Sequence, residues 1–273
     1  MLEYRRKLVY ARTTNQPVPN LAMGSIMHKA VELFWSEGKD PVKTILEVEQ
    51  EVISKVEGGL SAEWVEIFKY LRVMMAGYKE WIARGDTMGE EVVSVEQALI
   101  VPWGTFNGYD VTLTGKLDRK VKDTFTEQLM LIDTKSTQSF ARGMTHHFQL
   151  LTYAVMLRRL SGERIDRLMT EQIRKVLRTA TSKPPFFDRI EMFVNQEMLD
   201  NHEAHLDRLV GDITSVTREF ERGDIYECYP HPTRDCSWDC DYLPICTQMD
   251  DGSDFEYTIE RSYRIRPTED TYI

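Results

Sequence analysis

The sequence predicts an α+β fold, with a central mixed β-sheet flanked by helices, an N-terminal helical part and a C-terminal segment carrying all the cysteines. Three observations predict it. Apolar residues first recur at helical spacing, as in the stripe Trp64, Phe68, Leu71, Met75, Tyr78 and Ile82. From Glu91 the spacing shortens to the alternation of strands, broken by turn signals. The order is then helices, three consecutive strands, a helix, more strands and a helix, which suits α+β better than strict alternation.

Taken in order, Met1 to Tyr10 is basic and aromatic, and Thr13 to Pro19 reads as a loop. Ser25 is a candidate N-cap for a first helix running to Gly38. Asp40-Pro41 is a cap followed by an N1 proline, opening a second helix to about Gly58. Ser61 to Arg84 is a third, closed by Gly85. The run from Glu91 to Trp103 reads as a strand, and Phe106-Asn107-Gly108-Tyr109 as a hairpin turn. The chain returns through a strand holding Asp118, turns at K-D-T-F-T-E-Q, and continues through a strand holding Asp133. Gly143 to Leu160 reads as a helix, residues 165–175 and 186–194 as strands, and Asn195 as the cap of a long helix to about Arg222. Residues 224–249 form a loop-rich cysteine segment, and the acidic tail 250–273 reads as loosely held.

At 273 residues the chain can bury a sizeable core. No apolar run is long enough to span a bilayer. The N-terminus lacks the apolar stretch of a signal peptide, so a cytoplasmic protein is expected, with no membrane partner. A net charge of −10 argues against a protein that coats polyanions. It leaves room for acidic metal ligands beside a local basic groove.

The stretch from Leu113 to Tyr153 carries the chemistry. Asp118 falls at the end of one extended run, and Asp133 with Lys135 at the end of the next. Asp133 and Lys135 are two apart and share a strand face. Gln149 and Tyr153 are four apart and share a helix face. Two carboxylates and an ammonium at adjacent strand ends can hold a divalent cation with a charged helper, which is what phosphodiester hydrolysis requires. His28 lies in an early helix, in G-S-I-M-H-K-A. Arg119, Arg142, His146 and His147 flank these residues and could contact phosphates, or be ordinary surface.

His28, G-K-L-D (Asp118), I-D-T-K (Asp133, Lys135) and Q-L-L-T-Y (Gln149, Tyr153) together resemble the RecB-like branch of the PD-(D/E)xK nuclease superfamily, which has a restriction-endonuclease-like core. The resemblance spans residues 1–249 as one nuclease domain: a helical part at about 22–85, a core at about 91–222, and the cysteine segment 224–249. It implies that His28, Asp118 and Asp133 hold Mg²⁺ or Mn²⁺ and that Lys135 polarises the attacking water or the phosphate. Gln149 and Tyr153 would orient substrate and lysine and touch DNA, and Arg119, Arg142 and His146, from their place beside these residues, are further candidates for DNA contact. Glu96 sits where such proteins often carry a glutamate.

Cys228, Cys236, Cys240 and Cys246 are spaced C-x7-C-x3-C-x5-C. Such clustering in a cytoplasmic chain favours a metal or iron–sulfur site over disulfides. The segment resembles the C-terminal cysteine segment of the iron–sulfur RecB-like nucleases, which implies a [4Fe–4S] cluster. In that pattern one cysteine precedes an N-terminal basic-aromatic stretch. Here none does, so either Cys228 replaces it or the chain start has been shortened. Zinc on four thiolates is the alternative.

The expectation is a metal-dependent DNA exonuclease acting on single-stranded DNA or duplex ends in phage or bacterial recombination, repair or CRISPR-type processing. A helicase, recombinase or integrase partner is compatible with it. The rival is a catalytically silent, DNA-binding or scaffolding module of the same fold with a structural cluster.

Overall fold

The computed structural model describes residues 8–10, 19–55, 59–87, 89–140, 147–222, 240 and 242–265. They fall in two compact units. The larger comprises Pro17–Pro102 and Thr112–Leu206, the smaller Met1–Gln16, Trp103–Val111 and Asp207–Ile273. The smaller unit opens with β1 (Leu8–Tyr10).

The larger unit begins with three packed helices, α1 (Pro19–Glu37), α2 (Pro41–Lys55) and α3 (Ala62–Trp81). α1 starts earlier than expected, at Pro19, and Ser25 lies inside it. Proline at the first helical position has a preset φ and no N–H to leave unpaired, so it serves as a start. Gly38 (φ 67) ends α1: its N–H reaches Phe34 O and the Lys39 N–H reaches Leu33 O, both at 3.1 Å. That closing pattern requires a left-handed residue, which glycine supplies without strain. Asp40 Oδ1 accepts the Val42 N–H at 2.9 Å and caps α2 as expected. The expected stripe on α3 is buried at Trp64, Phe68, Leu71, Met75 and Tyr78, packing with Met27, Ala30 and Ile45. α3 passes into a π-helical turn, Ile82–Asp86.

The sheet has five strands in the order β2 (Glu90–Phe106), β3 (Tyr109–Asp123), β4 (Leu129–Thr137), β5 (Arg167–Arg174) and β6 (Phe187–Phe193). β3 and β4 are antiparallel, β4 and β5 parallel, and β5 and β6 antiparallel. A parallel pair needs a long crossover, supplied by α4 (His147–Ser161), which packs on β4 and β5. Asn107 (φ 50) and Gly108 (φ 91) form the two-residue hairpin turn, where both residues need positive φ. Asp123 Oδ1 holds the β3–β4 turn by accepting the N–H groups of Phe125 and Thr126 at 2.9 and 3.0 Å. Met130, Leu131, Ile132 and Asp133 are all buried, so β4 is covered on both faces. Asp118 and Asp133 therefore sit well inside long strands, not at their ends as the sequence suggests. Asn195 Oδ1 accepts the Met198 N–H at 2.8 Å and caps α5 (Gln196–Glu221).

In the smaller unit the hairpin tip is tied to the second half of α5. Asn107 Nδ2 donates to Gly211 O at 3.0 Å and Thr214 Oγ1 at 2.9 Å, and Trp103 Nε1 donates to Asp207 Oδ1 at 2.8 Å. The part of the tail that is described, 250–265, is built, contrary to the loose segment expected. α6 (Leu243–Asp251) and α7 (Phe255–Ser262) lead into β7 (Tyr263–Ile265). β7 pairs antiparallel with β1, Leu8 opposite Ile265. Ile245 and Tyr263 form a small core there with Tyr242, Met249, Phe255 and Ile259. Among the described residues no helix is long and apolar enough to cross a membrane.

Candidate active site

The β3–β4 register pairs Arg119 with Ile132, and one step further sets Asp118 beside Asp133 on the opposite face of the sheet from Arg119. Asp118 Oδ2 accepts the Thr134 backbone N–H at 2.8 Å and stands 3.5 Å from His28 Nδ1 on α1. Asp133 is 2% exposed; its Oδ1 pairs with Lys135 Nζ at 2.8 Å. Its Oδ2 is buried and accepts no hydrogen bond among the described residues. Lys135 Nζ also donates to Gln149 Oε1 at 3.1 Å, and Gln149 Nε2 donates to Tyr153 Oη at 2.8 Å. A continuous chain thus runs from Asp133 through Lys135 and Gln149 to Tyr153.

Gly115 makes room for that chain. A Cβ at this position would lie 2.6 Å from the Tyr153 ring, which rests directly on β3. Any other residue would push the tyrosine off the strand.

Glu96, on β2, joins from the neighbouring strand. Its backbone is left-handed (φ 50) inside an otherwise extended run, a kink of the kind that re-aims a side chain. One carboxylate oxygen of Glu96, one of Asp118 and a ring nitrogen of His28 all lie within 4.8 Å of one another. Oxygen ligands about 2.1 Å from a Mg²⁺-sized ion sit roughly 3 to 4 Å apart, so small side-chain adjustments would close this group on a cation. The orphaned Asp133 Oδ2 is a further acceptor beside it, and the donor set of carboxylates and one imidazole suits Mg²⁺ or Mn²⁺. The structure thus brings His28 and Asp118 together with Glu96, while Asp133 stands next to that group and not within it.

The electrostatics are those of crowded acceptor groups. Burial pushes the Asp118 carboxyl up to about 6; His28 and the Thr134 N–H oppose this, while Asp133 and Glu96 reinforce it. Four acceptor groups crowd a half-enclosed space that a positive charge would relieve.

The other face of the same strands carries a buried ionic network. Glu171 on β5 is wholly buried and accepts from Tyr78 Oη at 2.7 Å, Arg119 Nη2 at 3.1 Å and Arg189 Nη2 at 2.7 Å. Arg119 lies over the Trp35 ring at 4.2 Å, and Arg189 Nη1 donates to Glu90 Oε1 at 2.6 Å. Burial alone would raise Glu171, but Arg119 and Arg189 outweigh it and hold the carboxyl below its ordinary range. Arg119, expected at a phosphate, is 1% exposed and committed to this network, so it cannot reach DNA. The sequence held no sign of this. Leu117 and Val121 mark the inward face of β3, and an arginine between them reads as a break in the pattern until Glu171 is placed beside it.

Lys116 belongs to the site as well. It precedes Asp118 by two on β3, shares its strand face, and pairs with Glu96 at 2.6 Å. That spacing was the available signal. Arg142 and His146 lie outside the described residues, as does the His147 side chain. So do Cys228 and Cys236, whereas Cys240 and Cys246 are both half-buried, the latter on α6.

Solved structures that resemble the chain remotely include two of low identity. One is a candidate exonuclease from Eubacterium rectale (13% identity, TM-score 0.43, covering 78% of this chain and 71% of that one). The other is the protein SSO0001 (15% identity, TM-score 0.36, covering 81% and 94%). No curated protein matches the chain. The family model of the PD-(D/E)XK nuclease superfamily matches residues 1–247, nearly the whole length. The chain belongs to the PD-(D/E)XK nuclease superfamily.

Proposed function

We propose that the protein is a metal-dependent DNA exonuclease, and that the Asp133–Lys135–Gln149–Tyr153 chain beside the His28, Glu96 and Asp118 group is its catalytic centre. The observation that carries this is the pairing of a fixed lysine with a buried, partly unsatisfied carboxylate, next to three further ligand groups. His28, Glu96, Asp118 and Asp133 would hold the divalent cation. When bound, such an ion lowers the pKa of water and neutralises phosphate charge.

The protein's own residues do the rest. Asp133 and Gln149 hold the Lys135 ammonium from two sides, so that it meets charge developing on the phosphate without first reorganising. Tyr153 fixes the Gln149 amide, leaving the Gln149 oxygen aimed at the lysine. Thr134 orients Asp118 through a backbone donor that no side-chain substitution removes.

The test is cleavage of end-labelled single- and double-stranded DNA with Mn²⁺ or Mg²⁺, alongside Asp133→Ala. Metal-dependent shortening from one end, lost in the variant, is expected. DNA binding without cleavage by wild-type protein would instead identify a silent module of the same fold. The product ladder separates end-directed from internal cutting.

We propose further that Cys228, Cys236, Cys240 and Cys246 hold a [4Fe–4S] cluster. Support comes from the donor chemistry, four thiols in one short segment, and from the half-buried setting of Cys240 and Cys246. Anaerobic purification followed by iron, sulfide and zinc analysis distinguishes the cluster from zinc.

A further inference from the structure

Lys116 reaches from solvent into the metal-ligand group. Its side chain is 57% exposed, yet its Nζ lies 2.6 Å from Glu96 Oε2, on a carboxylate that is only 14% exposed. Glu96 is also one of the three groups gathered for a cation. Two positive charges therefore have a claim on one carboxylate. The other acid facing Lys116 from α1, Glu32, is held by Lys29 at 2.9 Å, and Asp118 is engaged by Thr134 and His28.

We propose that Lys116 is an exchangeable counter-cation. It holds the Glu96 carboxylate until a divalent ion takes it, and then swings to a phosphate oxygen of the bound strand. The inference rests on the nuclease reading above. Charge supports it. Three carboxylates, Glu96, Asp118 and Asp133, stand against two ammonium groups, Lys116 and Lys135. A divalent ion reverses the sign of that balance, which suits the single negative charge of a phosphodiester. A lysine kept beside the bound ion would be repelled by it, and a long flexible stem with a mobile ammonium is suited to leaving. A glutamate bonded only to Lys116 as surface decoration would give no such exchange, since exposed pairs of this kind contribute little.

The two roles predict effects of opposite sign in one variant. Lys116→Ala should bind Mn²⁺ about threefold to fivefold more tightly by calorimetry without DNA, because a competing cation is gone. The same variant should show a KM for single-stranded DNA raised about tenfold or more, with kcat changed far less, because a charged phosphate contact is lost. Lys116→Arg should restore the KM. Mn²⁺ affinity that is unchanged or weakened in Lys116→Ala, or an unchanged KM, overturns the proposal. Wild-type protein that neither takes up Mn²⁺ nor cuts DNA overturns the nuclease reading itself, and the exchange with it. The exposure of Lys116 makes misfolding of either variant a minor concern, and matching far-UV spectra would show it.

Discussion

Thr134 ties the two faces of the sheet together through Asp118. Its backbone N–H fixes the Asp118 carboxylate at 2.8 Å, while its own side chain lies on the opposite face, beside Glu171 in the β4–β5 register. A carboxylate of the proposed metal group and a buried ion network thus share one residue of β4.

Glu171→Gln tests the network. The substitution leaves Arg119 and Arg189 buried against a neutral amide, and breaking a buried pair on one side costs on the order of 3 kcal/mol. Urea denaturation should show that loss. A variant as stable as the wild type would mean that water or movement of Arg119 compensates.

Asp118→Asn should stabilise the metal-free protein. Its folded pKa of about 6 lies above the ordinary value of 3.8, so the folded state binds the proton more tightly than the unfolded chain does. Stability then falls as pH rises from about 4 to 6 and stays low above that. The amide escapes this penalty. In EDTA the variant should gain about 2 kcal/mol at pH 7.5 and nothing near pH 3.5. A gain independent of pH would assign it to packing.

Gly115→Ala should reduce both stability and cleavage, since the new methyl group meets the Tyr153 ring at 2.6 Å. Overpacking of this kind costs about 1–3 kcal/mol. Combined with Tyr153→Ala, which removes the obstruction, the two changes should be strongly non-additive. Simple additivity would show that the ring moves aside freely.

Lys135→Ala should lower kcat by about a hundredfold or more with DNA binding retained. Lys135→Arg should rescue little, because the ammonium fits a point between Asp133 Oδ1 and Gln149 Oε1 that a planar guanidinium overfills. Full rescue by arginine would reduce the role of Lys135 to charge alone.

The helical part was legible in the sequence because its information is local: the Asp40 cap and the apolar stripe on α3 need only neighbours within a few residues. The same holds for the Asn107-Gly108 turn and for Gln149 with Tyr153. Arg119 shows where such reading stops. Whether an arginine beside an aspartate faces solvent or Glu171 depends on a strand more than fifty residues downstream. The β1–β7 pair was invisible for a related reason. Three-residue strands have no measurable period, and their pairing joins opposite ends of the chain. Glu96 fell between these cases: its position in a strand could be read, but not the kink that turns it inward.

That kink sets the proposed metal site against durability. A glutamate at φ 50 pays a conformational penalty of about 1 kcal/mol that glycine would avoid and asparagine would lessen. Screening variants for heat resistance alone would therefore favour Gly or Asn at position 96 and discard a carboxylate from the ligand group. A library ranked by melting temperature would drift towards sturdier proteins with emptied centres, and the strain at Glu96 marks the residue at which that drift begins.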